Sequence, residues 1–359
     1  MNRSSQGMTA ESIAVAAFRL REIGIVVALA AAIVFFSVRA DNFFTVANWQ
    51  NIATNVAMVV VVAVGETMVV LTRNIDLSVG SIVGLSAYIS ADTLAGHHGT
   101  PVVLIALLAM GVGLACGIGN GLLVAIGGVP AIIATLATLA IYRGFTYEAT
   151  GGGGENISAF QLPDNFLNLA ARKPLGIPTL AWIALVVALV GMAALRWAPW
   201  GRDFYAVGSN PDAARLAGIP VAWRVITAFA ICGALSGLGG FMFAARFASV
   251  DAVAGRGFEL DVVTAVVIGG VNVFGGSGTV LGAVLGAILV ATMQEGFTLL
   301  KISEFWKIFF EGTAIVHARF SQIARYATTD LSNVFRLTDV WSKIGGRWQV
   351  VARHSSILG

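Results

Sequence analysis

Long apolar runs, each closed by a few polar or glycine-rich residues, recur from the first tenth of the chain to its last seventh. A helix rises 1.5 Å per residue and needs about 20 residues to cross a bilayer core. The runs therefore predict spanning helices at 23–38, 52–72, 77–95, 101–126, 129–147, 178–197, 222–245, 260–273 and 279–299, with a stub at 305–316. The eighth run is short and ends in glycines. That predicts a re-entrant or broken helix, which a membrane tolerates only where protein or a water cavity surrounds it. The expected fold is an all-α polytopic membrane protein of about ten helices, preceded by an amino-terminal segment at 1–22 and followed by a polar tail at 317–359.

Composition agrees with the pattern. Hydrophobic residues make up 57% of the chain and charged residues 11%, and the mean hydropathy is +0.84. These values exclude an ordinary soluble domain, in which about a quarter of residues are charged. The 42 glycines suit close helix packing and helix breaks. Cys116 and Cys232 lie in apolar runs and read as small core residues, and the adjoining His97 and His98 have no acid or thiol nearby to complete a metal shell. No metal, no catalytic residue and no nucleic-acid partner are expected. Arg3, Arg19 and Arg21 precede the first span, and Arg196, Arg202, Arg215 and Arg224 lie between the sixth and seventh, which places both regions in the cytoplasm. Arg143, Arg172 and Lys173 weaken that asymmetry. The first run also imitates a signal peptide, with "SVRA" before Asp41.

Against this background, intramembrane polar residues are informative. "LTRNIDLSVG" sets Arg73, Asn74 and Asp76 at the junction of the second and third runs, where a charge on an exposed helix centre costs roughly 2.5–3.5 kcal/mol on insertion scales. Asp76 is positioned to accept backbone N–H groups at the start of the third helix, and this structural role is favoured over ligand contact. Arg73 either snorkels to the interface or pairs with Asp76. Glu66, deep in the second run, either faces an aqueous path or is a neutral acid hydrogen-bonded to a neighbouring helix. "GGVNVFGGSGT" forms a second polar break with Asn272, Gly275, Gly276 and Ser277.

The connection between the sixth and seventh runs contains "NPDAARLAG". Asn210 reads as an N-cap, Pro211 as the first helical residue and Asp212 as an acid at the positive helix end. Ala213, Ala214, Arg215 and Leu216 follow before a stopping Gly218. This short helix is either a solvated connector or a docking element for a cytoplasmic partner.

"GETMVVLTRNIDLSVGSIVGL" (65–85), "NGLLVAIGGVPAIIATLATLAIYRGF" (120–145), "GRDFYAVGSNPDAARLAGIPV" (201–221) and "FELDVVTAVVIGGVNVFGGSGTVLGAVLGA" (258–287) carry a resemblance. The chain resembles the permease subunits of bacterial ATP-binding-cassette importers for monosaccharides, over roughly 23–316. The resemblance implies an inner-membrane subunit with ten helices and cytoplasmic termini. A second permease copy or paralogue, cytoplasmic ATPase subunits and a periplasmic sugar-binding protein would be its partners, with membrane lipid around it. It also implies that 210–218 is the coupling helix, with Asp212, Ala213, Ala214, Arg215 and Gly218 meeting the ATPase. Asp76, Ser78 and Gly80 match the family's "IDLSVG" signature, and Asn74 stands where glycine is common. Glu66, Asn74, Asp76, Ser78, Gly80 and the 272–277 break are expected on the translocation path or at helix breaks. The chain has no G-x-x-x-x-G-K-[ST] loop, so ATP would be hydrolysed by the partner and no cofactor held here. The expected activity is import of a pentose or deoxyhexose, rhamnose by overall likeness, through alternating access. An ion-coupled secondary carrier using Glu66 and Asp76 is the alternative.

The carboxyl end departs from that family. The run at 305–316, with Lys307 and Glu311, makes only about 18 Å of helix. Beyond it, "VFRLTDVWSKIGGRWQVVARHS" predicts two strands joined at Gly345 and Gly346. "TDVWSKIGGRWQVVARHSS" resembles the terminal hairpin of ketosteroid-isomerase-like proteins, without enough chain to build their pocket around His354 or Asp339. A fused or frame-disrupted fragment is the expectation, with a natural extension or a basic lipid-facing tail as the other readings.

Overall fold

The computed structural model describes residues 10–303, 306, 309, 312–313, 336–344 and 347–356, and the chain divides into two units, 1–316 and 317–359. Among the described residues of the first unit there are twelve α-helices. They are α1 (Ala10–Arg39), α2 (Val46–Leu71), α3 (Val79–Gly96), α4 (Val102–Ala125), α5 (Ala131–Ala149) and α6 (Asp164–Ala171). They continue with α7 (Thr179–Trp197), α8 (Pro199–Ser209), α9 (Pro211–Leu216), α10 (Val221–Phe247), α11 (Phe258–Ile268) and α12 (Val280–Leu299).

The sequence of α2 explains its place. It is apolar on all sides, as a helix surrounded by other helices must be, and nearly every residue from Val56 to Leu71 is buried. Packed around it are α7, α10, α11 and α12. On the outer side of α10 lie α3 and α4, and α5 covers α3. The α4–α10 contact is a glycine seam: Gly113, Gly117 and Gly121 on α4 meet Gly233 and Gly237 on α10. A Cβ at Gly233 would stand 2.8 Å from the Cα of Gly117, and one at Gly121 would stand 2.8 Å from the Cα of Ile226. Only small residues allow backbones this close. At the far end of α12, Phe297 meets Phe36 of α1 edge to face, with centroids 5.5 Å apart.

Among the described residues, five helices are individually long and apolar enough to span a membrane: α2, α4, α7, α10 and α12; Ile23–Arg39 is a shorter apolar run. The other segments read from the sequence differ for physical reasons. In α3 the apolar surface is interrupted by buried Ser81, Ser86 and Ser90, and Ser81 and Ser90 donate to the carbonyls of Ser78 and Ser86. Arg143 and Glu148 interrupt α5. The eighth segment is only the eleven residues of α11, about 16 Å. It ends at Gly269, and Gly270, Gly275, Gly276 and Gly278 take positive φ before α12 begins. Helix α1 starts at Ala10, well inside the segment read as a separate amino-terminal piece. Of the 305–316 stub, only Trp306, Phe309, Gly312 and Thr313 are described, so the shortened last helix, with Lys307 and Glu311, falls outside the described residues.

In the second unit, β1 (Arg336–Ile344) pairs antiparallel with β2 (Arg347–Ser356), with a register shift between Val340 and Trp341. Gly345 and Gly346 lie outside the described residues.

Candidate functional site

The two helix breaks and the α8–α9 elbow meet at one end of the bundle. After α2 the chain turns at Arg73, whose φ of 68° is left-handed, and climbs back to Asp76. The Asp76 N–H donates to Glu66 Oε1 at 3.0 Å. Asp76 Oδ1 accepts from the backbone N–H and the hydroxyl of Ser78, at 2.9 and 2.6 Å. Asn120 Nδ2 on α4 donates to Asp76 Oδ2 at 3.1 Å and to Ser78 Oγ at 2.8 Å, while its own Oδ1 accepts from Tyr142 of α5 at 3.0 Å. Cys232 of α10 donates to Glu66 Oε2 at 3.6 Å. Glu66, Asp76, Ser78 and Asn120 are fully buried. This network ties α2, α4, α5 and α10 to the start of α3, and every carboxylate oxygen in it has a donor, the condition under which a buried acid is tolerated.

The arrangement shows where each of these side chains lies. Glu66 does not face an open path: it is enclosed and bonded to the break and to α10. Asp76 serves the start of α3. Arg73 is exposed, and its guanidinium is directed to α8 rather than to Asp76: its Nε donates to Gly208 O and its Nη2 to Ser209 O, both at 2.5 Å. Asn74 is half-buried and donates to the carbonyl and hydroxyl of Thr72. No side chain fits at Gly80, where a Cβ would lie 2.8 Å from Gly255 O and against the Glu259 carboxylate.

The second break closes on itself and on the first. Asn272 Oδ1 accepts from Phe274 N–H, Asn272 Nδ2 donates to Gly275 O, and Asn272 N–H donates to Ser277 O. Gly276 N–H donates to Leu71 O, the last residue of α2. A Cβ at Gly275 would stand 3.0 Å from Arg73 N, and one at Gly276 would stand 2.8 Å from Ser209 N. Both breaks thus contact the carboxyl end of α8.

Helix α8 is anchored on three sides. Phe204 and Val207 are buried under it, Asp203 pairs with Arg224 of α10 at 2.7 Å, and Tyr205 donates to Gly278 O at 3.1 Å. Helix α9 follows without slack. Asn210 Oδ1 accepts from Asp212 and Ala213 N–H at 3.0 and 3.1 Å, Pro211 occupies the first turn, and Gly218 ends it at φ 81°. Asp212, Ala213, Arg215 and Gly218 are exposed, and Arg215 pairs with Asp212 at 3.1 Å. Ala214 is the exception to the surface read from the sequence. It is 4% exposed, because the helix turns that position inward, whereas Leu216 is 91% exposed.

Several residues of the site escaped sequence reasoning. Asn120 carried a usable signal, being a lone amide within a 24-residue apolar helix. Gly208, Ser209 and Cys232 carried none, since their roles come from backbone carbonyls and spatial neighbours. Arg143 Nη1 donates to Ala254 O and braces the 248–257 return, beside the Glu259 carboxylate, whose Oε2 is buried without a partner. For the central network, Asn120→Leu removes its bonds to Asp76, Ser78 and Tyr142 at once. At about 0.6 kcal/mol per interhelical bond, rising to ~1.7, a loss of roughly 2 kcal/mol is expected. A thermal melt of the purified full chain checks this, and an unchanged midpoint would refute the network's structural weight.

A family profile described as "Branched-chain amino acid transport system / permease component" matches residues 48–318. The ribose import permease protein RbsC of Escherichia coli (strain K12) is 36% identical over 292 residues, 81% of this chain and 90% of that protein. The autoinducer 2 import system permease protein LsrC of Salmonella typhi is 35% identical over 296 residues, 82% of this chain and 84% of that protein. No solved structure matches.

Proposed function

Because the chain belongs to the branched-chain amino acid transport system / permease component family, we propose that it is the multi-pass, inner-membrane subunit of an ATP-driven importer for a monosaccharide. The ribose and autoinducer 2 permeases, at 35–36% identity over most of their length, support a small polyhydroxylated solute, here a pentose or a deoxyhexose such as rhamnose. The chain transports rather than catalyses. ATP is hydrolysed by a cytoplasmic ATPase pair, a periplasmic binding protein delivers the sugar, and a second permease completes the path. In this reading α8–α9 and the amino terminus lie in the cytoplasm, an orientation that rests on Arg3, Arg19 and Arg21 and on Arg196, Arg202, Arg215 and Arg224.

One observation carries the mechanism: the capped helix α9 is joined through α8 to both helix breaks. Arg73 holds the carbonyls of Gly208 and Ser209, and Gly276 N–H holds Leu71 O. ATPase closure displaces α9, α8 follows as a lever, and the breaks at 72–78 and 269–279 change the packing of α2, α3, α11 and α12. Alternating access is the result. An ion-coupled carrier is disfavoured, because Glu66 and Asp76 are enclosed and fully partnered.

Docking is assigned to the exposed side of α9, Leu216 first, with Asp212, Ala213, Arg215 and Gly218. Leu216→Asp is expected to lower co-purification of the ATPase at least about tenfold, the loss of one apolar anchor, with no change in thermal midpoint. Ala214→Glu would instead disturb packing. Retained ATPase with Leu216→Asp would refute this surface. We extend the reading to 317–359 as an unrelated fragment that follows the last apolar run in the sequence. Replacing the residues after Val316 by a full apolar helix is expected to raise sugar uptake in a permease-null cell carrying the partner subunits; equal uptake would make the tail a tolerated extension.

A further inference from the structure

Two cavities open along the seam between α7 and α12. At the α8 end lies a cavity of about 590 Å³, lined by Arg196, Arg202, Tyr205, Met192, Leu195 and Leu281 among others. Both arginines are exposed, and neither has an ion-pair or hydrogen-bond partner among the described residues. Asp203, the acid on α8, is taken by Arg224. The cavity therefore offers two unneutralised guanidinium groups above an apolar floor.

A second cavity, of about 290 Å³, continues the same seam, where Ala184 and Ala188 of α7 face Val284 and Ile288 of α12 over Val56 of α2. The two alanines leave the space. From Arg196 back to Ala184 is twelve residues of helix, about 18 Å, comparable with an extended acyl chain. Trp197 and Trp223 are exposed at the arginine end, 71% and 64%. Tryptophan concentrates at the level of lipid headgroups, the level that the arginine end of the seam would take in a bilayer, with the apolar groove towards the acyl chains.

We propose that this seam is a binding site for an anionic phospholipid. Arg196 and Arg202 hold the phosphate-bearing headgroup, and one acyl chain lies between α7 and α12. Lipid, rather than soluble phosphate, is the occupant because the groove lies one helical turn from the cavity along α7 and α12 and is lined almost wholly by apolar side chains, Ala184, Ala188, Val284 and Ile288 among them. The lipid would bridge α7 and α12 beside α8, the lever of the proposed mechanism, although the site itself does not depend on that mechanism.

The test is native mass spectrometry of the full chain released from nanodiscs of mixed phosphatidylglycerol and phosphatidylcholine. The wild type is expected to retain phosphatidylglycerol selectively. R196A/R202A should lose that retention roughly tenfold or more, and R196K/R202K should keep most of it. Val284→Trp fills the groove with both arginines intact and should also lose it. Equal retention by wild type and R196A/R202A, or retention of phosphatidylcholine as strong as that of phosphatidylglycerol, would overturn the proposal. Displacement of the lipid by glycerol phosphate, which has the headgroup chemistry without an acyl chain, would overturn it in favour of a soluble phosphate ligand.

Discussion

A chain carrying Gly117→Leu is expected not to accumulate as a monodisperse membrane protein. Gly117 lies at the middle of the α4–α10 seam, where a Cβ would stand 3.0 Å from the Cα of Gly233 and against the carbonyl of Phe229. Those atoms are backbone, so no side-chain rotation relieves the contact. An isobutyl group there would separate the helices along Gly113, Gly117, Gly121, Gly233 and Gly237, and dispersion contacts of the seam would go with them. Overpacking commonly costs about 1–3 kcal/mol, and a backbone-to-backbone site lies at or above the top of that range. Separation also strains the network across it, since Asn120 is on α4 and Cys232 on α10. Size-exclusion of detergent extracts reads the outcome. Gly111→Leu is the control, because nothing lies within 4 Å of a Cβ at that position. Normal accumulation of Gly117→Leu would mean that α4 and α10 are not joined by this seam.

The seam shows where sequence is informative and where it stops. Forty-two glycines announce close packing, but not which of them face each other, because partner choice is a three-dimensional property. Apolar periodicity located α2, α4, α7, α10 and α12, whose surfaces are uniform enough to be recognised one at a time. Helix α9 was readable to the residue at its cap, since capping is local chemistry between Asn210 and the N–H groups of Asp212 and Ala213. The facing of α9 was not: Ala214 and Leu216 differ only in which way a six-residue helix is turned, and α8 determines that. The preceding α8 was itself missed, since its eleven residues bury only Gly201, Phe204, Val207 and Gly208 and include Arg202 and Asp203, too short and too polar a stretch to stand out among the spanning runs. Likewise Asp76 was recognisable as a helix-start carboxylate, whereas Glu66 required the fold to bring Asp76 N–H and Cys232 to it.

Arg73 carries the other large effect. Arg73→Gly is expected to reduce sugar import at least about tenfold in the assembled transporter while ATP hydrolysis continues. The guanidinium makes two charge-assisted bonds to the Gly208 and Ser209 carbonyls, worth roughly 1.5–3 kcal/mol each in a protein, and about 1.4 kcal/mol is a factor of ten. Glycine is chosen because Arg73 adopts a φ of 68°. It removes the side chain and tolerates the left-handed backbone, so a defect cannot be assigned to a strained turn. Ser209 is exposed, so water can take over at its carbonyl and the folded state should survive; an unchanged elution volume of the purified chain checks that. Import and ATPase rates are then measured on the same reconstituted complex. ATP turnover without import would mean that α9 still receives the motor's motion and the 72–78 break no longer does. Import and hydrolysis falling together would place the defect in docking rather than transmission. Full import would show that α8 drives the breaks without Arg73, leaving Tyr205 to Gly278 and Gly276 to Leu71 as the remaining links.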